Sequence, residues 1–156
     1  MSRLRTANVV ALVALSLILV TADQPQAGLI SGLVNTLTQV VDGAVGGLLS
    51  RGIWTARIPS GAFSGTASVS LSALSGSNVC QLEISPASKN GFAKPVTLTA
   101  KIPLGMSAAS AEIEWLNPQT QAWEPVAGSS VNPLARTVSA PLWHFSTYRV
   151  GGRSGW

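Results

Sequence analysis

Cysteine, histidine and charged residues are all scarce in this chain. Cys80 is the one cysteine and His144 the one histidine among 156 residues. A single thiol rules out an internal disulfide. With no close set of Cys, His, Asp and Glu, nothing completes a tetrahedral metal site, and no metal is expected. A lone thiol in an exported protein invites an intermolecular bridge. Here, however, Cys80, Leu82 and Ile84 alternate with Gln81 and Glu83, which puts the thiol on the apolar face of a strand as a small buried hydrophobe. Charged residues make up 10% of the chain against 46% apolar ones, and the formal charge is +4. Counted from Gly28, eight basic residues face five acidic ones, scattered along the sequence. Nucleic-acid binding needs a basic patch or stripe, so no nucleic-acid partner is expected.

What is present is Ser, Thr, Gly and Ala among short apolar runs, which suits strands and surface turns rather than a disordered or low-complexity chain. The length allows one domain after an N-terminal segment is set aside. That segment, residues 1–27, reads as a signal peptide. Arg3 and Arg5 form a basic start and Val9 to Val20 is apolar apart from Ser16. Cleavage after Ala22 or after Ala27 leaves Val-Thr-Ala or Pro-Gln-Ala before the cut. The apolar run falls short of the roughly 20 residues a span needs. A secreted or periplasmic protein of the cell envelope, with no permanent membrane span, is therefore expected; an uncleaved anchor is the alternative.

Residues 28–52 have a different texture. Leu29, Ile30, Leu33, Val34, Leu37, Val40, Val41, Val45, Leu48 and Leu49 recur at three- and four-residue steps, the pattern of an apolar helical stripe. Gly43, Gly46 and Gly47 lower its helix propensity. The spacing predicts a helix lying against the following domain, or a linker. A membrane-surface or self-association helix is the sharper alternative, but the polar face lacks the Lys and Arg of interfacial helices.

From Ile53 to Val150 the period becomes two. Val69 and Leu71 share a face, as do Val96, Leu98, Ala100 and Ile102. Ala111, Ile113 and Trp115 are expected inward, with Glu112 and Glu114 outward. The closing stretch, Thr137 to Val150, alternates as a strand should and carries Trp143, His144 and Tyr148. Seven or eight short strands separated by turn signals predict an all-β, two-layer antiparallel β-sandwich, followed by a flexible tail over 151–156.

Four segments then follow one another in a familiar order: Ile58-Pro-Ser-Gly-Ala-Phe63, Phe92-Ala-Lys-Pro-Val-Thr-Leu98, Trp115-Leu-Asn-Pro-Gln-Thr-Gln-Ala-Trp123 and His144-Phe-Ser-Thr-Tyr148. Their spacing resembles the ZU-five-type β-sandwich found in ankyrins, netrin receptors, tight-junction scaffolds and many exported bacterial proteins. The resemblance covers about residues 53–150. It implies an interaction or architectural module with a protein partner or self-association, and no substrate or cofactor. Members typically have a glycine-rich hairpin before the Ile-Pro-x-Gly-Ala segment. Here only Leu49-Ser-Arg-Gly-Ile-Trp54 stands there, so a reduced first strand pair or an open edge is expected.

Three groups of residues invite chemistry. In related modules of some death-signalling proteins, His-Phe-Ser marks autoproteolysis. By that resemblance His144 is the base, Ser146 the nucleophile and Phe145 the residue whose carbonyl is attacked. The plainer reading, a hydrogen-bonded pair or simply a fold-closing strand, is preferred. Glu112 and Glu114 lie about 6.6 Å apart by strand rise, within the range of inverting glycosidases, but read as a solvated face. Trp54, Trp115, Trp123 and Trp143 are the residues a glycan-binding surface would use, whereas core packing is the ordinary fate of indoles. A non-enzymatic interaction or cell-envelope module is the favoured function, with glycan binding and self-cleavage as alternatives.

Overall fold

The computed structural model describes residues 34–152. The expected signal peptide, residues 28–33 and residues 153–156 of the expected tail lie outside the described residues; Gly151 and Gly152 belong to the last strand and not to a tail. Strands β1 (Val34–Asp42), β4 (Thr66–Leu74), β5 (Val79–Ser85), β11 (Thr147–Gly152), β7 (Ala111–Leu116) and β8 (Trp123–Pro125) lie side by side, in that order, in one antiparallel sheet. Strands β2 (Gly47–Arg51), β3 (Trp54–Ile58), β6 (Val96–Lys101), β10 (Thr137–Leu142) and β9 (Ser130–Asn132) form the second. The two sheets pack face to face as the all-β sandwich that the two-residue period predicts.

Alternation explains the core. In β4, Ala67, Val69, Leu71 and Ala73 are buried while the serines between them face outward. Opposite them in β5, Cys80, Leu82 and Ile84 are buried. The other sheet contributes Leu49, Trp54, Leu98 and Leu142 to the same core. Each such Val or Leu side chain contributes on the order of 1.5–3 kcal/mol when taken out of water. All three phenylalanines of the chain gather at one end of the sandwich. Phe92 meets Phe145 edge-on at 4.7 Å between ring centroids and Phe63 at 6.5 Å.

The helix predicted over residues 28–52 does not form where the chain is described. Residues 34–51 are a strand, a turn and a strand, and among the described residues the sandwich already includes residue 34 rather than starting at 53. The apolar spacing satisfies both periods, and three other features favour the strand. Thr36, Thr38, Val40 and Val41 are β-branched and suit a pleated surface. β4 offers a complementary row, so that Leu37 opposes Leu71 and Val41 opposes Ala67. The glycines that weaken a helix collect in one tight turn. At Gly43 an added Cβ would lie 2.0 Å from the Phe63 carbonyl oxygen, an approach that only glycine permits. The Asp42 carboxylate accepts the Ala44 N–H at 2.9 Å, and its carbonyl accepts those of Val45 and Gly46. The first strand pair is also complete: β2 and β3 pair along their full five-residue lengths.

The closing stretch is two strands, not one. β10 pairs with β6 and β9 in one sheet, and β11 pairs with β5 and β7 in the other. Residues 143–146 carry the chain across. Strand alternation therefore does not extend through His144 and Ser146.

Candidate functional site

At the crossing, residues 143–146, every backbone carbonyl is hydrogen-bonded. The Trp143 carbonyl accepts from the Phe92 N–H at 3.0 Å, and the Ser146 carbonyl accepts from the Leu82 N–H at 3.0 Å. The Tyr148 hydroxyl donates to the His144 carbonyl at 2.6 Å. Asn90 clamps Phe145 from both sides: its Oδ1 accepts the Phe145 N–H at 2.5 Å and its Nδ2 donates to the Phe145 carbonyl at 3.0 Å. Four carbonyls that leave the sheet ladder thus all find donors, as backbone near a core must. The Phe145 ring is buried against Phe92, and the His144 ring stands edge-on to Trp115 at 5.3 Å.

The three residues of the His-Phe-Ser motif lie together at this corner. The His144 ring makes its contact, Nδ1 to oxygen at 3.4 Å, with the Phe145 carbonyl. That carbonyl is the one an acyl shift would attack, and Asn90 already donates to it. Ser146 is engaged through its own carbonyl. A ring nitrogen that approaches a carbonyl oxygen does so as a donor, a different role from accepting the Ser146 proton.

Glu112 and Glu114 are buried, at 5% and 8% exposure, which corrects the expected solvated face. They do lie on the outer side of β7, opposite Gly151 and Arg149. Glu114 forms an ion pair with the Arg149 guanidinium, which also lies over the Trp123 ring at 4.6 Å from its centroid. Gly151 makes room for it: a Cβ there would fall 2.3 Å from the Glu114 carboxyl carbon. The segment after β8 also folds along β7, where Val126 N–H donates to the Ile113 carbonyl at 2.8 Å and Ser129 hydroxyl to the Val126 carbonyl at 2.8 Å.

The tryptophans divide. Trp54 is fully buried, and its indole N–H finds no partner among the described residues. Trp115 is partly buried against the core, one face of Trp123 is taken by Arg149, and Trp143 stands 56% exposed. Cys80 is buried opposite Tyr148. Burial pushes its thiol well above the usual value, with the Tyr148 backbone offsetting part of the rise. Burial, and then the proximity of Cys80, likewise raise the Tyr148 hydroxyl. Among the described residues no group of three or more His, Cys, Asp and Glu could hold a metal ion. None of their helices is long and apolar enough to cross a membrane.

Comparisons of the chain with protein-family models, with curated proteins and with solved structures each find no match.

Sequence reasoning expected an open edge but did not place it, and the structure puts it at the outer side of β1, within the residues read as a helix. β1 runs nine residues in unbroken register with β4, and among the described residues no strand pairs with its other side. Alternate N–H and C=O groups of an edge strand point away from its neighbour. Natural edges are blunted by short length, Lys, Pro or bulges. The edges β8 and β9 are three residues long, whereas β1 has no charge and no proline from Val34 to Val41. Thr36, Thr38, Gln39 and Val40 are exposed along it, Val40 at 72%.

Proposed function

We propose that the protein is a non-enzymatic β-sandwich module of the cell envelope that accepts a strand from a protein partner along the β1 edge. The observation that carries this reading is that edge: nine residues long, uncharged to residue 41 and unprotected by proline. Strand addition draws affinity from main-chain hydrogen bonds and specificity from alternate side chains, and both are available here. Two further exposed apolar residues lie just beyond β1, Val45 at 74% in the turn and Leu48 at 58% in β2. The resemblance of residues 53–150 to ZU-five-type modules supports an interaction role, and the basic start and apolar run of residues 1–27 support export to the periplasm or beyond.

Site-specific photo-crosslinking in the producing cell tests the reading. A photoreactive amino acid at position 40 is expected to give a protein adduct. The same group at Leu134, which is 98% exposed in the turn between β9 and β10, is expected to give none. Absence of an adduct at 40, or equal adducts at both positions, refutes strand acceptance at β1.

A further inference from the structure

Read outward from Leu37, the sequence of β1 is nearly the same in both directions. Thr36 and Thr38 come first, then Asn35 and Gln39, then Val34 and Val40. A strand-accepting edge needs no such symmetry to bind an unrelated partner. In a self-pair an antiparallel contact about a twofold axis sets each residue against the one equally far from the centre, so those two must suit each other, as these matched uncharged residues do. On the strength of the strand-accepting edge above, we propose that the strand it accepts is the β1 edge of a second copy of this chain. The two copies pair antiparallel, with Leu37 opposite Leu37.

The side-chain faces fit this register. Pairing with β4 sets Leu37 and Val41 on the core side, opposite Leu71 and Ala67, and Thr36 and Thr38 on the outer side, opposite Ser72 and Ser70. In the self-pair, Thr36 of one copy meets Thr38 of the other on the outer face, twice. The hydroxyl pairs Thr36–Ser72 and Thr38–Ser70, each 2.9 Å, then join into rows running across four strands, and Thr–Thr pairs are among the favourable cross-strand neighbours. On the core side Leu37, half-buried in one copy, meets its twin. Asn35 meets Gln39 on either side of it. Arg51 donates to the Asn35 Oδ1, which leaves the Asn35 amide nitrogen to donate to the Gln39 carbonyl oxygen of the second copy. No charged residue lies between positions 34 and 41, so no like charges are brought together.

Closure also follows. The two six-stranded sheets become one continuous sheet, and each copy's long open edge is consumed by the other. An isologous contact of this kind stops at two.

The test is the mass of the untruncated chain as its cell produces it, by light scattering, with a charge swap at the two threonines. Wild type is expected at twice the chain mass. Thr36→Lys with Thr38→Lys places lysine against lysine at two pairs and is expected to give a monomer. Thr36→Lys with Thr38→Glu places lysine against glutamate at the same two pairs and is expected to restore the dimer. A wild-type monomer overturns self-pairing. So does a dimer that survives the double lysine, or one that the lysine–glutamate chain does not restore. A monomer that still gives a photo-adduct with another protein at position 40 defeats self-pairing alone and leaves strand acceptance standing. Should the lysine variants not fold, amide exchange of wild type decides. Alternate β1 amides are expected to gain protection on raising the chain concentration, and concentration-independent exchange overturns the proposal.

Discussion

Replacing Asn90 with alanine removes both hydrogen bonds that hold the Phe145 peptide group, the one at 2.5 Å to its N–H and the one at 3.0 Å to its carbonyl. Neutral hydrogen bonds contribute about 1 kcal/mol each net, and more where a buried group is left without a partner. Asn90 is itself exposed while Phe145 is 4% exposed, so water reaches part of the vacated site and the lower figure applies to each bond. The expected loss is about 2 kcal/mol. With a urea slope of roughly 1–3 kcal/mol per molar for a domain of this size, the midpoint falls by about 1 M at unchanged slope. Asn90→Asp separates the two bonds. It keeps an acceptor for the Phe145 N–H but sets a carboxylate oxygen against the Phe145 carbonyl, so it is expected to destabilise although its shape is the same. A loss below about 0.5 kcal/mol for Asn90→Ala, the level of an ordinary surface substitution, would show that the corner is held by its packing and not by this clamp.

Alkaline stability follows from Cys80 and Tyr148. Unfolded, they ionise near about 8.5 and about 10; folded, burial raises both. A group raised on folding stabilises fully below its unfolded value and loses that contribution as pH climbs. Stability should therefore fall above about pH 8.5 by about 1.4 kcal/mol per pH unit, and by about twice that above pH 10. Urea midpoints across this range check the slope, and Cys80→Ala should delay its onset to about pH 10; a flat profile refutes the assignment. Intact-mass analysis of the purified protein is expected to show no cleavage at Phe145–Ser146. Two fragments that rejoin as one species in Ser146→Ala would establish the acyl shift instead.

Residues whose neighbours in sequence are also their neighbours in function were easy to read. Val69 and Leu71, or Cys80 and Leu82, announce a buried strand face by alternation alone, and the sandwich follows from enough of them. Where two periods fit the same residues the sequence is silent on which wins. Leu37 and Val41 stand four apart, which serves a helical stripe and a strand face equally, and only β4 across the gap decides. The burial of Glu112 and Glu114 is of the same kind. For Glu114, the Arg149 guanidinium that pairs with it and the missing side chain at Gly151 that makes room for it are both distant in sequence. The His-Phe-Ser motif was visible, but the partner that fixes its geometry, Asn90, sits 55 residues away from Phe145 in a turn with no pattern of its own. The symmetry of β1 was present in the letters throughout. It acquires meaning only once that stretch is known to be an edge.

The division of the closing stretch between two sheets bears on when the molecule can fold. β10 lies between β6 and β9, and β11 between β5 and β7, so the last two of the described strands in chain order occupy interior places in both layers. Until they arrive, β5 and β7 have an empty lane between them and β6 lacks one neighbour. Neither sheet can close on a partial chain, and the pairings that complete it are long-range and slow to form. Such a chain stays open until β11 has been made, and both layers then close together.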